Sequence, residues 1–419
     1  MNFKQFFNYK KTPLKFLELF FLSLMFISLP SLEAPKNIFL CLFLLLAIWN
    51  QYSIKVQFTF NKWDFIYISL ILSAFLSVLF AGLPSYEEWR GFRGIFTWTL
   101  FGLVLTRSSY NEKEISWLYL LVILSTIPAI IWGLFEYLII HTKEDLQLHS
   151  VGHVNHSAIY LVMIIGASIS LFFYEKKYSL IYFLKLLLVI FFMLGIVLGR
   201  SRGAFGIGII LAFILTIFLD SSTKNKSIFL LTFLTSLLLS LILSSAVIQK
   251  NSTSIVEKIE ANYINHSNLA ARDRVWNISL EAFKLYPIFG VGNANFKYFD
   301  AHKVKSSIES RGEVFNAKKY HFVGHSHNIF LSALAERGII GFIVLINFML
   351  AWLILLIKDY KRIKFNHLSQ ILWGGSLSAF IVTFGAGFVN STLHHEHALL
   401  AFIFLGLHLN YLKKNHLGS

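Results

Sequence analysis

The chain is 419 residues long, 56% hydrophobic and 16% aromatic, with 14% charged residues and a mean hydropathy of +0.63. That balance excludes a soluble protein with a water-facing surface and describes an all-α, polytopic membrane protein whose solvent is mostly lipid. The formal charge of +15 is no nucleic-acid footprint, because the lysines gather in short loops between apolar runs, and no nucleic acid is expected as a partner.

Apolar stretches recur near 16–33, 37–50, 63–82, 93–106, 115–140, 157–174, 179–199, 203–219, 227–248, 329–357, 369–389 and 396–412. Most approach the roughly 20 residues that cross a bilayer core, so about twelve transmembrane helices are expected. The runs are unbroken rather than alternating, which argues against a β-barrel. The first lacks a small-residue cleavage pattern and is read as retained. Counted over short loops, one face carries eighteen Lys/Arg, including Lys10, Lys11, Lys55, Lys176, Lys177, Lys361 and Lys413, and the other carries six. The richer face is expected to be cytoplasmic, with both termini on it. The single cysteine, Cys41, lies inside the second run, so no intramolecular disulfide or cysteine-rich metal site is available.

This divides the chain into spans one to nine over 1–248, a large extracytoplasmic loop over 249–328, and spans ten to twelve with a cytoplasmic C-terminus over 329–419. Residues 249–324 hold eleven Lys/Arg against seven Asp/Glu, and so long a segment exceeds a connector. Within it, Val275, Trp276, Ser279, Ala282, Phe283 and Tyr286 recur at helical spacing, predicting an amphipathic helix near 272–286 that Pro287 stops. The following Gly290-Val291-Gly292-Asn293 reads as a turn. The loop is expected to form a partly helical cap over the membrane mouth.

Four polar elements fall on the extracytoplasmic side. They are Arg200 and Arg202 between the seventh and eighth spans, Arg272 and Arg274 at the start of the cap helix, His325 and His327 just before the tenth span, and His394, His395 and His397. Arginine keeps its charge and offers a planar donor fork that fits phosphate oxygens. Near a helix N-terminus two arginines are unfavourable unless an anion visits. The bland alternatives are arginines snorkelling to lipid headgroups, solvated loop charges and interfacial histidines. His394-His395-Glu396-His397 has metal-binding residue types, but neighbours on one helix point apart, so no metal is assigned. Gly338 and Gly341, three apart, read as close-packing positions.

His327-Asn328, nine residues, Gly338, two residues and Gly341 resemble the signature of the O-antigen ligase family of bacterial envelope glycosyltransferases. Ser201-Arg202-Gly203-Ala204 resembles a second family element, and Arg272-x-x-x-Trp276 with Pro287, Gly290 and Gly292 resembles a third. The resemblance implies a GT-C-like membrane fold in the bacterial inner membrane with a periplasmic active site. It also implies metal-independent, cofactor-free transfer of polysaccharide from undecaprenyl pyrophosphate to a lipid A core sugar. Related polymerases and protein O-oligosaccharyltransferases use the same kind of donor. In this reading His327 is the general base, His325 orients it, and Arg202 and Arg272, assisted by Arg200 and Arg274, bind pyrophosphate. Asn328, Gly338, Gly341, Gly290 and Gly292 are structural motif positions. If Ser326 caps the helix, its positive end keeps His327 neutral. No carboxylate is placed by motif to form a glycosyl-enzyme, which predicts inversion at the anomeric carbon. The rival from another class is a lipid-linked oligosaccharide transporter, which would grip pyrophosphate without reacting it.

Overall fold

A computed structural model describes residues 13–53, 60–149, 151–173, 179–219, 269–361 and 366–416, with parts of 226–242. The expected ninth span, the loop start at 249–268, and Lys10, Lys11, Lys55, Lys176 and Lys177 of the basic face lie largely or wholly outside them. The described residues are helical or irregular, with no strand.

In chain order the helices are α1 (Pro13–Ser28), α2 (Glu33–Ser53), α3 (Lys62–Leu79), α4 (Glu87–Arg107) and α5 (Glu112–Phe135), which runs on through a π-turn at Glu136–Ile140. Next come α6 (Val154–Phe173), α7 (Leu180–Leu198), α8 (Arg202–Phe218), α9 (Leu269–Leu285), α10 (Ala301–Glu309), α11 (Ile329–Tyr360), α12 (His367–Phe380) and α13 (His395–His416). Seven of them, α2, α3, α5, α6, α7, α11 and α12 with its continuation to Phe388, are long and apolar enough to cross a membrane. The other expected spans among the described residues are also helical. At 16 and 17 residues, α1 and α8 are short, and α4 opens on Glu87, Glu88, Arg90 and Arg93.

Asparagines start several of these helices. Asn61 and Asn111 form reciprocal capping boxes with Asp64 and Glu114, and Asn328 and Asn366 cap α11 and α12. Helix α6 is the centre of the bundle, with 89% of its apolar window inside. Small residues let α12 approach it: a Cβ on Gly166 would fall 2.2 Å from Ser378 Oγ, and one on Gly374 2.2 Å from Ser170 Oγ.

Three largely buried pairs among the described residues show how a low-dielectric surrounding accommodates ionisable side chains. Arg107 holds Asp64 through two bonds of 2.8 Å, His408 meets Asp359 at 2.8 Å, and Lys36 pairs with Glu396. The pair between Lys36 and Glu396 pins the start of α13, which positions the histidines there.

Candidate active site

The polar loop builds a cap with its own small core. Helix α9 starts three residues earlier than its apolar periodicity predicts, and its inner face of Val275, Ile278 and Ala282 packs with Val291, Phe296, Phe299, Val304 and Ile308. After α10 the chain returns alongside α9. Asn277 Nδ2 donates to the Lys319 carbonyl at 3.0 Å, and the His321 amide reaches the Arg274 carbonyl at 3.4 Å. The returning segment thus runs toward the Arg272 end of α9 and delivers His325 and His327 there.

The glycine-rich turn fixes the cap to the membrane helices. Helix α11 is interrupted at Gly338, whose φ of 64° and ψ of −161° are non-helical. The interruption frees backbone groups that must find partners, and the turn supplies them. Val291 N donates to Ala335 O at 2.9 Å, Gly292 N to Glu336 O at 3.0 Å, and Ile339 N to Pro287 O at 2.8 Å. Gly338 is therefore a meeting point of two backbones, a close-packing position set by the break in α11. A Cβ on Gly338 would lie 2.2 Å from the Ile288 carbonyl oxygen, and one on Gly290, at φ 73°, 2.3 Å from the Glu336 carbonyl carbon. At Gly341 a Cβ would strike the Arg337 side chain at 2.2 Å. The turn is also stitched to α3 and the loop after it: Asn293 Nδ2 donates to Ala74 O of α3 at 2.7 Å and Asn295 Nδ2 to Leu83 O of the loop at 2.7 Å.

The histidine pair sits at the entry to α11. Asn328, rather than Ser326, is the cap: its Oδ1 accepts from Phe330 N at 2.9 Å and Leu331 N at 3.0 Å. Ser326 instead closes a local turn by donating to the Asn328 carbonyl at 2.8 Å. Both residue types cap helices, and the longer asparagine reaches the first free amides here. Asn328 Nδ2 also bonds Phe388 O at 3.1 Å, tying the site to the end of α12. Between the two, His327 adopts a left-handed φ of 50°, a conformation held by its neighbours rather than preferred. Its ring lies 3.9 Å from that of His325, centroid to centroid. Partial burial, then the charges of His325 and Arg272, push the His327 pKa down to about 4, so its resting form is neutral imidazole with a free lone pair. His325, on the exposed rim, is also shifted down, by desolvation and by His153.

The arginines separate into two settings. Burial and the charge of Arg202 lower the Arg272 pKa, so Arg202, Arg272 and His327 form one electrostatic group drawn from α8, α9 and the α11 entry. Arg274 lies in the first turns of α9 with Asp273 Oδ1 accepting its backbone amide at 2.8 Å. Arg200 is turned elsewhere. It is 4% exposed, has a left-handed φ of 48°, and is engaged by Asp145 and the Glu144 carbonyl. It closes the 141–153 loop on the end of α7, with Leu146 N donating to Leu198 O at 3.3 Å.

Three residues of this region escape a sequence reading. Asn155 Oδ1 accepts from Ser201 Oγ at 2.9 Å and orients the start of α8. His153 and His156 extend the histidine group: the His156 ring lies 6.1 Å from His153, 5.9 Å from His394 and 5.1 Å from His397. The spacing of three at a span entry is the one signal that marks them. Among the described residues, no group of three or more His, Cys, Asp or Glu side chains is arranged to hold a metal ion.

This constellation presents fixed cations beside a neutral imidazole in a half-buried setting, the parts that a reaction at a phosphate ester with a proton to remove would use. An uncharacterized protein of Haemophilus influenzae (strain Rd) is 31% identical over 193 residues, which are 45% of this chain and 46% of that protein. The chain thus spans less than half the length of that relative. Residues 186–346 match the family model for O-antigen ligase. That segment contains Arg202, Arg272, Gly290, Gly292, His325, His327, Asn328, Gly338 and Gly341, and over it the chain is similar to the O-antigen ligase family.

Proposed function

We propose that this protein is an O-antigen ligase of the bacterial inner membrane, transferring polysaccharide from undecaprenyl pyrophosphate to a lipid A core sugar at the periplasmic face. About twelve spans with both termini cytoplasmic complete this reading. The observation that carries it is the electrostatic group of Arg202, Arg272 and neutral His327, each from a different element. A transporter that grips pyrophosphate without reacting it has use for the arginines and would lose little on removal of the base, whereas transfer requires it.

In the proposed reaction the acceptor hydroxyl attacks the anomeric carbon of the donor while His327 takes its proton. The bond from that carbon to the pyrophosphate oxygen breaks, and the leaving group keeps the electron pair. Arg202 and Arg272 meet the growing charge, with Arg274 beside them. A pyrophosphate seated on Arg272 offsets the cation that depresses His327, raising its basicity when donor is present. The group is strongest as a base in the loaded site. One displacement gives an inverted product, and no resident metal or cofactor takes part.

The test is transfer by purified protein from undecaprenyl-pyrophosphate glycan to lipid A core, with and without chelator. Joined product identifies a ligase, longer lipid-linked chains a polymerase, glycan on a protein hydroxyl an O-oligosaccharyltransferase, and absence of any covalent product refutes the reading.

A further inference from the structure

The cap holds a cleft of 460 Å³, within the size range of small-ligand sites. It is lined by buried Ile278 of α9 and buried Phe299, and by the exposed residues Phe322, Lys297, Asp300 and Gly324. Gly324 is followed directly by His325, Ser326 and His327. Three residues span at most roughly 10 Å of chain, so an occupant of the cleft lies within a few sugar widths of the proposed base. Phe322 is 39% exposed, a large aromatic face offered to solvent beside a functional centre. Lys297 reaches Glu87 at 3.5 Å and lies over the Tyr298 ring at 5.0 Å. Asp300 caps α10 through Lys303 N at 3.0 Å. Both residues line the cleft and are exposed, with their charged heads engaged by these contacts.

An apolar wall with an exposed ring, edged by one cation and one carboxylate, suits a molecule with an apolar face and a polar perimeter. A pyranose has that character, with C–H groups on its face and hydroxyls around its edge. An acyl chain does not fit, because the walls belong to the polar cap rather than to a membrane span and the rim is charged. We infer that the cleft formed by Ile278, Phe299, Phe322, Lys297 and Asp300 is a saccharide-binding subsite that holds glycan next to His327, an assignment that rests on the glycosyltransferase reading. The saccharide comes from either substrate: the sugars nearest the donor pyrophosphate or the terminal sugars of the acceptor.

Calorimetric titration of the wild-type protein in detergent distinguishes them, using polysaccharide freed from its lipid by mild acid and, separately, delipidated core oligosaccharide. Neither probe carries a pyrophosphate, so neither turns over. Saturable binding of the first assigns the cleft to the donor, and of the second to the acceptor. In either case Phe322→Ala and Ala301→Trp, which fills the cleft from its rim, weaken binding at least tenfold, while Phe322→Tyr and Arg272→Ala retain it. Absence of binding by both saccharides, or unchanged affinity in Phe322→Ala and Ala301→Trp, overturns the subsite. If saccharide binds here while no transfer occurs with any acceptor, the subsite stands and the ligase reading falls.

Discussion

The amide of Val291 donates to the carbonyl of Ala335 at 2.9 Å, joining the extramembrane cap to α11 one turn before its break. Around that bond the backbones of 287–292 and 335–339 face each other with no room for a side chain at Gly290 or Gly338. The cap helix that carries Arg272 and the helix entry that carries His327 are thereby held at a fixed separation.

Replacing Gly338 with Ala tests that lock. The new methyl would meet the Ile288 carbonyl at 2.2 Å and would sit at φ 64°, so roughly 2–4 kcal/mol of destabilisation is expected. Gly206, with nothing within 4 Å of an added Cβ inside α8, is the control, and Gly206→Ala is expected to leave the melting temperature unchanged or higher. Equal melting temperatures for the two variants in detergent would refute the docking.

The two arginines of the Arg200-Ser201-Arg202 segment separate by readout. Arg200→Ala strands Asp145 beside a buried site and is expected to cost about 3–5 kcal/mol, seen as a lower melting temperature. Arg202→Ala and Arg272→Ala are expected to melt like the wild type and to lose turnover about a hundredfold or more, as removal of a transition-state cation does. A fully stable Arg200→Ala with lost turnover would return Arg200 to the pyrophosphate group.

Protonation of His327 gives two measurable shifts. Its pKa of about 4 in the folded protein lies below the 6.5 of an ordinary histidine, so the unfolded chain takes up the proton first. Stability from this group is full above pH 6.5 and is lost as pH falls from about 6.5 toward 4. Melting temperatures followed over that interval are expected to fall less steeply in His327→Gln than in the wild type. Arg272 contributes to the depression, so an NMR titration of His327 is expected to move upward in Arg272→Gln. An unmoved titration would separate the two residues.

Much of this site was legible because the chemistry concentrates in short motifs. Loop charges and span order lead to the expectation that His325, His327, Arg202 and Arg272 share one side of the membrane, and the structure groups Arg202, Arg272 and His327. Contacts between distant segments were harder to read. Gly290 and Gly338 stand 48 positions apart, and no local pattern reports that one glycine fits the gap made by the other. The spacing of Gly338 and Gly341 marks close packing but is silent about the break in the helix at Gly338 itself. Ser326 and Asn328 both have capping side chains, and the choice depended on which reached the free amides of Phe330 and Leu331. His153 and His156 lie at the entry of a central span, where periodicity marks the apolar face and is silent about imidazoles. Arg200 and Arg202 have the same side chain two residues apart, and the partner that distinguishes them, Asp145, is more than 50 positions away.

The most direct test of the central claim compares wild type and His327→Ala in the purified transfer reaction, with undecaprenyl-pyrophosphate glycan as donor and lipid A core as acceptor. Wild-type protein is expected to form glycan joined to lipid A core, with inverted anomeric configuration. His327→Ala is expected to be folded, to bind donor, and to transfer about a hundred- to ten-thousandfold more slowly. Full transfer by the folded His327→Ala protein would contradict the account.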